Sequence, residues 1–470
     1  MSNSNMKNYR FSDRDEFKRK PIAEKIIKLL DSKINVSPMI IDGKWGTGKT
    51  EFCFKLKNLI EANNPNNYKT SYVNAFQADH ANEPLLTLIA SVAGLYESEN
   101  KEKFINKAIP YLRLVTGIGL KSGLSLVFGK YGSEISSDYT EGVEAIKEGS
   151  KELVDQSLKS IIKDQVKAEE NLNALQATLL EITKENPVIL LIDELDRCRP
   201  DFAVAMLETI KHVFDVENVQ IILVTNAEQL KATIKHSYGS ETDPNSYLYK
   251  FFKYQINLPT TSKDEENRSV DNNVTYFRQV VQESSVIPQG FKDNDLIYDV
   301  SKFVKVDQLS LRKIEQVVRC IETLIIFEDT EKSKSRKSEQ ILITFLCFLY
   351  ISNYKKFINL SNKKITSSNF DECINNYSLT LMINGSSNNI EDYSAEFFIL
   401  ASFSSRVRSN LIRTNYTDKL HAFSMLVQTF DDKLNLKGLL IRSNHISPDR
   451  YLSEYINHTI NNLLLFDIHN

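Results

Sequence analysis

The sequence predicts an α/β chain: a mostly parallel sheet flanked by helices, with a helical insertion and a helical C-terminal region. Three observations point to this class. Val188-Ile-Leu-Leu-Ile192 and Val219-Gln-Ile-Ile-Leu-Val224 are short, nearly unbroken apolar runs, the pattern of strands covered on both faces. Stretches with helical spacing separate them from an earlier strand signal, and alternating strands and helices close into one sheet through right-handed crossovers. Beyond Pro259 the strand signals stop, and the remainder reads as helices joined by polar linkers at 261–273, 329–340, 361–369 and 384–394.

Taken in order, residues 13–33 place Phe17, Ile22, Ile26, Ile27, Leu29 and Leu30 at helical spacing, with Pro21 in the first turn, where proline is tolerated. Pro38-Met-Ile-Ile41 reads as a strand running into Gly43, and Phe52, Phe54, Leu56, Leu59 and Ile60 continue past Thr50 as a helix. Tyr68 to Phe76 reads as a second strand and Leu85 to Leu95 as an apolar helix. From Glu97 to about Gly142 the pattern loosens around a glycine-bearing segment, 114–128. Val154, Leu158, Ile161, Gln165, Ala168, Leu172, Leu175, Leu179 and Ile182 then recur at spacings of four and three. That heptad-like stripe is read as a long helix packing on its own domain, with a self-association seam as the alternative. The expected organisation is an α/β core over 1–260 with a largely helical insertion at 97–185, a helical segment over 261–330, and a helical region over 331–470 for sensing or partner docking.

One motif carries chemistry. Gly43-Lys-Trp-Gly-Thr-Gly-Lys-Thr50 is G-x-x-x-x-G-K-T between a strand and a helix, the context a P-loop requires. Gly43, Trp45, Gly46, Thr47, Gly48, Lys49 and Thr50 are therefore the expected nucleotide-binding residues, because successive N–H groups and a helix N-terminus make an anion site. In this reading Lys49 bridges the β- and γ-phosphates and Thr50 ligates Mg²⁺. Asp193 and Glu194 follow the VILLI strand as a Walker B pair, at the strand ends where α/β sheets place ligands. Asp193 is expected to hold Mg²⁺ through water, and Glu194 to orient and deprotonate the attacking water. Thr225-Asn226 ends the next strand, where Asn226 would sense the γ-phosphate or start a turn.

These residues resemble the KAP P-loop NTPases. The resemblance rests on GKWGTGKT, with tryptophan inside the loop, and on Ile192-Asp-Glu-Leu-Asp-Arg-Cys-Arg-Pro-Asp201. A long insertion separates the two motifs, Tyr247 to Pro259 looks like the family's exit from the sheet, and Leu309-Ser-Leu-Arg312 looks like its lid helix. The resemblance implies an additional-strand, AAA-related ATPase core using ATP and Mg²⁺, with Arg312 reaching the nucleotide from the lid. It implies phosphate or intersubunit contact for Arg197 and Arg199, whose structural alternative is ion pairing with Asp196 or Asp201. Asp196 is expected to orient the acidic loop, and Phe76 to replace a strand-two tryptophan. The biological role implied is an assembly switch in a bacterial anti-phage or plasmid-exclusion system, with self-association and other proteins of a defence operon as partners.

Composition narrows the alternatives. The 470 residues carry 58 Lys and Arg against 61 Asp and Glu, a net charge of −3, which excludes a polycation built to coat nucleic acid. The basic stretch Lys332-Ser-Lys-Ser-Arg-Lys337 is short and reads as a solvated linker, so nucleic-acid binding has little support. Five scattered cysteines show no CxxC spacing, which argues against a zinc site or disulfide framework and for a reducing, cytoplasmic setting. The apolar run 341–351 is too short to span a bilayer and reads as a buried helix; membrane contact is not expected. The rival function is an ATP-binding interaction scaffold, at a membrane or in a multiprotein complex, with little turnover.

Overall fold

The computed structural model describes residues 8–32, 34–116, 151–264, 266–292, 304, 309–327, 337–355, 357–358 and 458–465. The chain divides into two compact units, Met1–Pro259 and Thr260–Asn470.

In the first unit five parallel strands form one sheet: β1 (Met39–Asp42), β2 (Lys69–Asn74), β3 (Val188–Asp193), β4 (Val219–Thr225) and β5 (Tyr254–Asn257). Their order is β2-β3-β4-β1-β5. β4 thus stands between β1 and β3, the additional strand that the resemblance implied. All six β3 residues are buried, as an apolar run without alternation requires. Val188, Leu190 and Ile192 join one core while Ile189 and Leu191 join the other, so period-two alternation feeds two helical layers.

One layer is α1 (Lys20–Leu30) and α2 (Lys49–Ala62). The opposite layer contains α3 (Ala75–Asp79), α4 (Pro84–Ala93), α5 (Ser98–Thr116), α6 (Lys151–Thr183), α7 (Pro200–Val213) and α8 (Ala227–Tyr238); the short α9 (Pro244–Tyr249) leads to β5. Leu175, Leu179 and Ile182 of α6 are buried in that core, so this half of the stripe is a packing face rather than a seam. Side chains of 151–166, and the segment 117–150, lie outside the described residues.

Three local expectations change. The strand predicted over 68–76 stops at Asn74, whose side chain accepts from the Gln77 N–H and starts α3; Phe76 is therefore an exposed helical residue. The loose segment after Glu97 begins with the 19-residue helix α5, which buries Phe104, Ile105, Ala108 and Leu112 despite an internal Pro110. The polar linker over 261–273 contains an antiparallel pair, β6 (Thr261–Lys263) with β7 (Ser269–Asp271).

In the second unit α10 (Asn272–Glu283) packs on α11 (Leu311–Phe327), and α11 on α12 (Lys337–Ser352). Ile343 to Ile351 is buried, as predicted for the apolar run. No described helix is long and apolar enough to cross a membrane. Residues 359–457, most of the region expected to dock partners, lie outside the described residues.

Candidate functional site

Sheet register gathers the site. Asn74 is level with Asp193, Asp193 with Val224, and Thr225 with Asp42, so the C-terminal ends of four strands meet at one edge. The loop from Gly43 to Gly48 rises from β1 and ends as the N-cap of α2. Gly46 and Gly48 have φ of 72° and 79°, a region L side chains enter at a cost of about 1–2 kcal/mol. A Cβ on Gly43 would stand 2.8 Å from Thr47 Oγ1 and 3.2 Å from Lys49 Cγ. Three glycines are thus dictated by the shape of the loop.

The Lys49 side chain folds back across the cradle. Its ammonium donates to the carbonyls of Gly43 (2.6 Å) and Lys44 (3.2 Å). Burial lowers its pKa, against the charges of Asp196 and Asp193. A buried ammonium satisfied only by carbonyls is ready to take a phosphate oxygen, which adds the missing opposite charge.

Asp193 is fully buried at the tip of β3. It accepts from the Thr50 hydroxyl, the Glu194 N–H (2.8 Å) and the Tyr72 hydroxyl (3.2 Å). Burial raises its carboxyl pKa to about 6, with Glu194 adding to the rise and the hydrogen bonds opposing it. Tyr72, half-buried on β2, is pushed the same way by burial and by the charge of Asp193. The pairing of a threonine hydroxyl with a buried carboxylate fits a hard cation, since oxygen ligands suit Mg²⁺ and its charge would offset the burial of Asp193.

Glu194 takes up the left-handed conformation (φ 63°), and the chain then enters a short 3₁₀ turn, Leu195–Arg197. Its carboxylate is held from two sides: Asn74 Nδ2 lies 3.2 Å from Oε2 and Arg197 Nη1 3.1 Å from Oε1. Asp196, buried, accepts from Trp45 Nε1 and, at 3.0 Å, from the Thr225 hydroxyl. It therefore ties the P-loop, the acidic turn and β4 together. Trp45 nevertheless remains 51% exposed.

The two arginines pair differently from expectation. Arg197 meets Glu194 rather than Asp196, and Arg199 meets Asp79 rather than Asp201. Asp79 also accepts the Arg199 N–H at 3.1 Å, and its carbonyl takes Nη2 at 2.9 Å. That geometry fastens the end of the acidic turn to α3.

Asn226 is the half-buried N-cap of α8, and its side chain caps no N–H. Arg312 is exposed in the first turn of α11, in the second unit. The first unit alone thus brings together every predicted site residue except Arg312. Tyr72, Asn74 and Asp79 were missed by the sequence reading. They sit on and just after the second strand, and the rule that strand tips carry site residues could have found Asn74.

This sheet order, with a glycine cradle after β1 and acids after β3, defines a P-loop NTPase domain of the additional-strand type. The profile of the KAP family P-loop domain matches residues 19–344. The chain belongs to that family, as its motifs suggested, and the family supports nucleotide binding by an NTPase. No curated protein matches the chain.

Proposed function

We propose that this protein binds ATP with Mg²⁺ and hydrolyses it slowly, as a conformational and assembly switch. The observation that carries the reading is the state of Glu194: the acid expected to act as base follows β3, and its carboxylate is engaged by Asn74 and Arg197. Mg²⁺, held by Thr50 and Asp193, would neutralise phosphate charge. Lys49 and the loop N–H groups would hold the β- and γ-phosphates. Glu194 would take the proton of the attacking water, a task for which its carboxylate would exchange the contact with Arg197 for one with that water. Asn226, next to the tip of β4, is assigned to the γ-phosphate or the water. Arg312 keeps the nucleotide role that the family resemblance implies for it.

The biological setting we assign is a cytoplasmic bacterial defence system, acting through self-association and partner proteins from the same operon; only the family resemblance supports it. The clamp on Glu194 also favours a second reading, an ATP-dependent scaffold in which the base is never released.

Steady-state phosphate release from wild type, Glu194→Gln and Arg197→Ala separates the two. A switch predicts turnover in wild type, loss in Glu194→Gln with ATP binding kept, and a several-fold rise in Arg197→Ala. ATP binding without turnover in all three proteins would leave the scaffold.

A further inference from the structure

Arg19 precedes α1 as its N-cap and is only 4% exposed. Its Nη1 donates to the Thr47 carbonyl at 2.8 Å, and its Nη2 lies 3.3 Å from the Pro259 carbonyl, at the end of the first unit. The guanidinium stands 4.7 Å from the centre of the Phe17 ring. Buried Nε has no hydrogen-bond partner among the described residues. The acids close by are engaged elsewhere. Asp15 accepts the backbone N–H groups of Arg19 and Lys20, Glu16 accepts from Arg14, and Glu51 pairs with Lys55 at 2.7 Å. Burial lowers the arginine pKa to about 10, with Glu16, Glu51 and Asp15 opposing the fall. Burying a guanidinium against carbonyls alone is costly, so a nonfunctional position would more cheaply hold an apolar residue.

The contact with Thr47 has a geometric consequence. In a trans peptide the carbonyl and the following N–H point in opposite directions. An arginine fixed on the Thr47 carbonyl therefore turns the Gly48 N–H away from itself, and that N–H has no backbone acceptor among the described residues. A cation on the carbonyl also polarises the peptide, which strengthens its N–H as a donor. The residue after this peptide is Lys49, already folded onto the same loop.

We propose that Arg19 is a positioning residue for the nucleotide phosphates: from behind the P-loop it sets the Thr47–Gly48 peptide so that the Gly48 N–H is presented to a phosphate oxygen. Its second bond holds the same guanidinium to Pro259, so the peptide is referenced to the end of the sheet as well as to α1. The inference rests on nucleotide binding at the P-loop, but not on hydrolysis or on any partner.

The test is titration of the full chain with ATP and with ADP, read by calorimetry and by fluorescence of Trp45, for wild type, Arg19→Gln, Arg19→Lys and Lys49→Ala. The expected result is about tenfold weaker binding of both nucleotides to Arg19→Gln, equivalent to about 1.4 kcal/mol. Arg19→Lys, which keeps the charge and can reach one of the two carbonyls, should recover part of the loss. Turnover at saturating ATP should change less than threefold, so the effect appears in KM rather than kcat. Wild-type affinity in a folded Arg19→Gln protein would overturn the proposal, whereas failure of wild type itself to bind would overturn the nucleotide reading beneath it. If Arg19→Gln does not fold, the wild-type chain labelled at its 15 glycines decides. ADP should shift the Gly48 amide resonance strongly, and an unmoved Gly48 resonance would sink the idea.

Discussion

The P-loop and the acidic turn after β3 lie at the same sheet edge and reach unusual backbone geometry by opposite means. The P-loop uses glycine at both of its positive-φ positions, 46 and 48, so its shape costs little strain. The acidic turn places Glu194 at φ 63° with a full side chain and holds it there through Asp193, Asn74 and Arg197. A cradle built without strain is a fixed receptor. A strained residue kept in place by polar contacts can change state when those contacts are exchanged. On the proposed reading, the difference teaches that nucleotide affinity and turnover would be governed by separate parts of one site.

The largest way to break that comparison is Lys49→Ala, which should weaken ATP binding by ~10²-fold or more by removing a buried charge-assisted contact; calorimetry giving an unchanged affinity would overturn the P-loop assignment. Glu194→Gln should leave that affinity within about threefold while lowering turnover by roughly 10²–10⁴, and wild-type phosphate release from this variant would remove Glu194 as the base. Asp79→Ala strips the acceptor that fastens Arg199 to α3. It should cost about 1–3 kcal/mol in urea unfolding and reduce turnover before affinity; loss of affinity first would mean the two parts are not separable. The smallest effect sharpens the strain side of the comparison. Glu194→Gly should be more stable than Glu194→Ala by about 1 kcal/mol, because only alanine bears the left-handed penalty. Equal unfolding midpoints would mean that the turn relaxes and stores no strain.

How much could be read in advance differs between these parts for a physical reason. The P-loop is local: eight consecutive residues contain both the shape, through Gly43, Gly46 and Gly48, and the charge, through Lys49. The buried strands β3 and β4 were equally legible, since Val188–Ile192 must be buried on both faces wherever it is placed, whereas β5, with three of its four residues exposed, was not read as a strand. Helix α5 was harder to see because its charged first half and Pro110 obscure Phe104, Ile105, Ala108 and Leu112, which define the buried face. The β6–β7 pair was invisible because strands of three polar residues carry no hydrophobic period.

By itself the sequence determined the sheet's buried strands, the phosphate cradle, the order of its motifs and the membership of the KAP family, because each depends on neighbours in the chain. The tertiary structure alone decided which groups meet across it. Asn74 and Glu194 are 120 residues apart, Arg199 and Asp79 also 120, Trp45 and Asp196 151, and Arg19 and Thr47 28. Such pairs follow from strand order and register, which bring strand ends to one edge whatever their distance in sequence. Local propensity cannot choose between Asp196 and Glu194 as the partner of Arg197. The left-handed turn at Glu194 makes that choice, by bringing its carboxylate to the arginine three residues later while Asp196 is taken by Trp45 and Thr225.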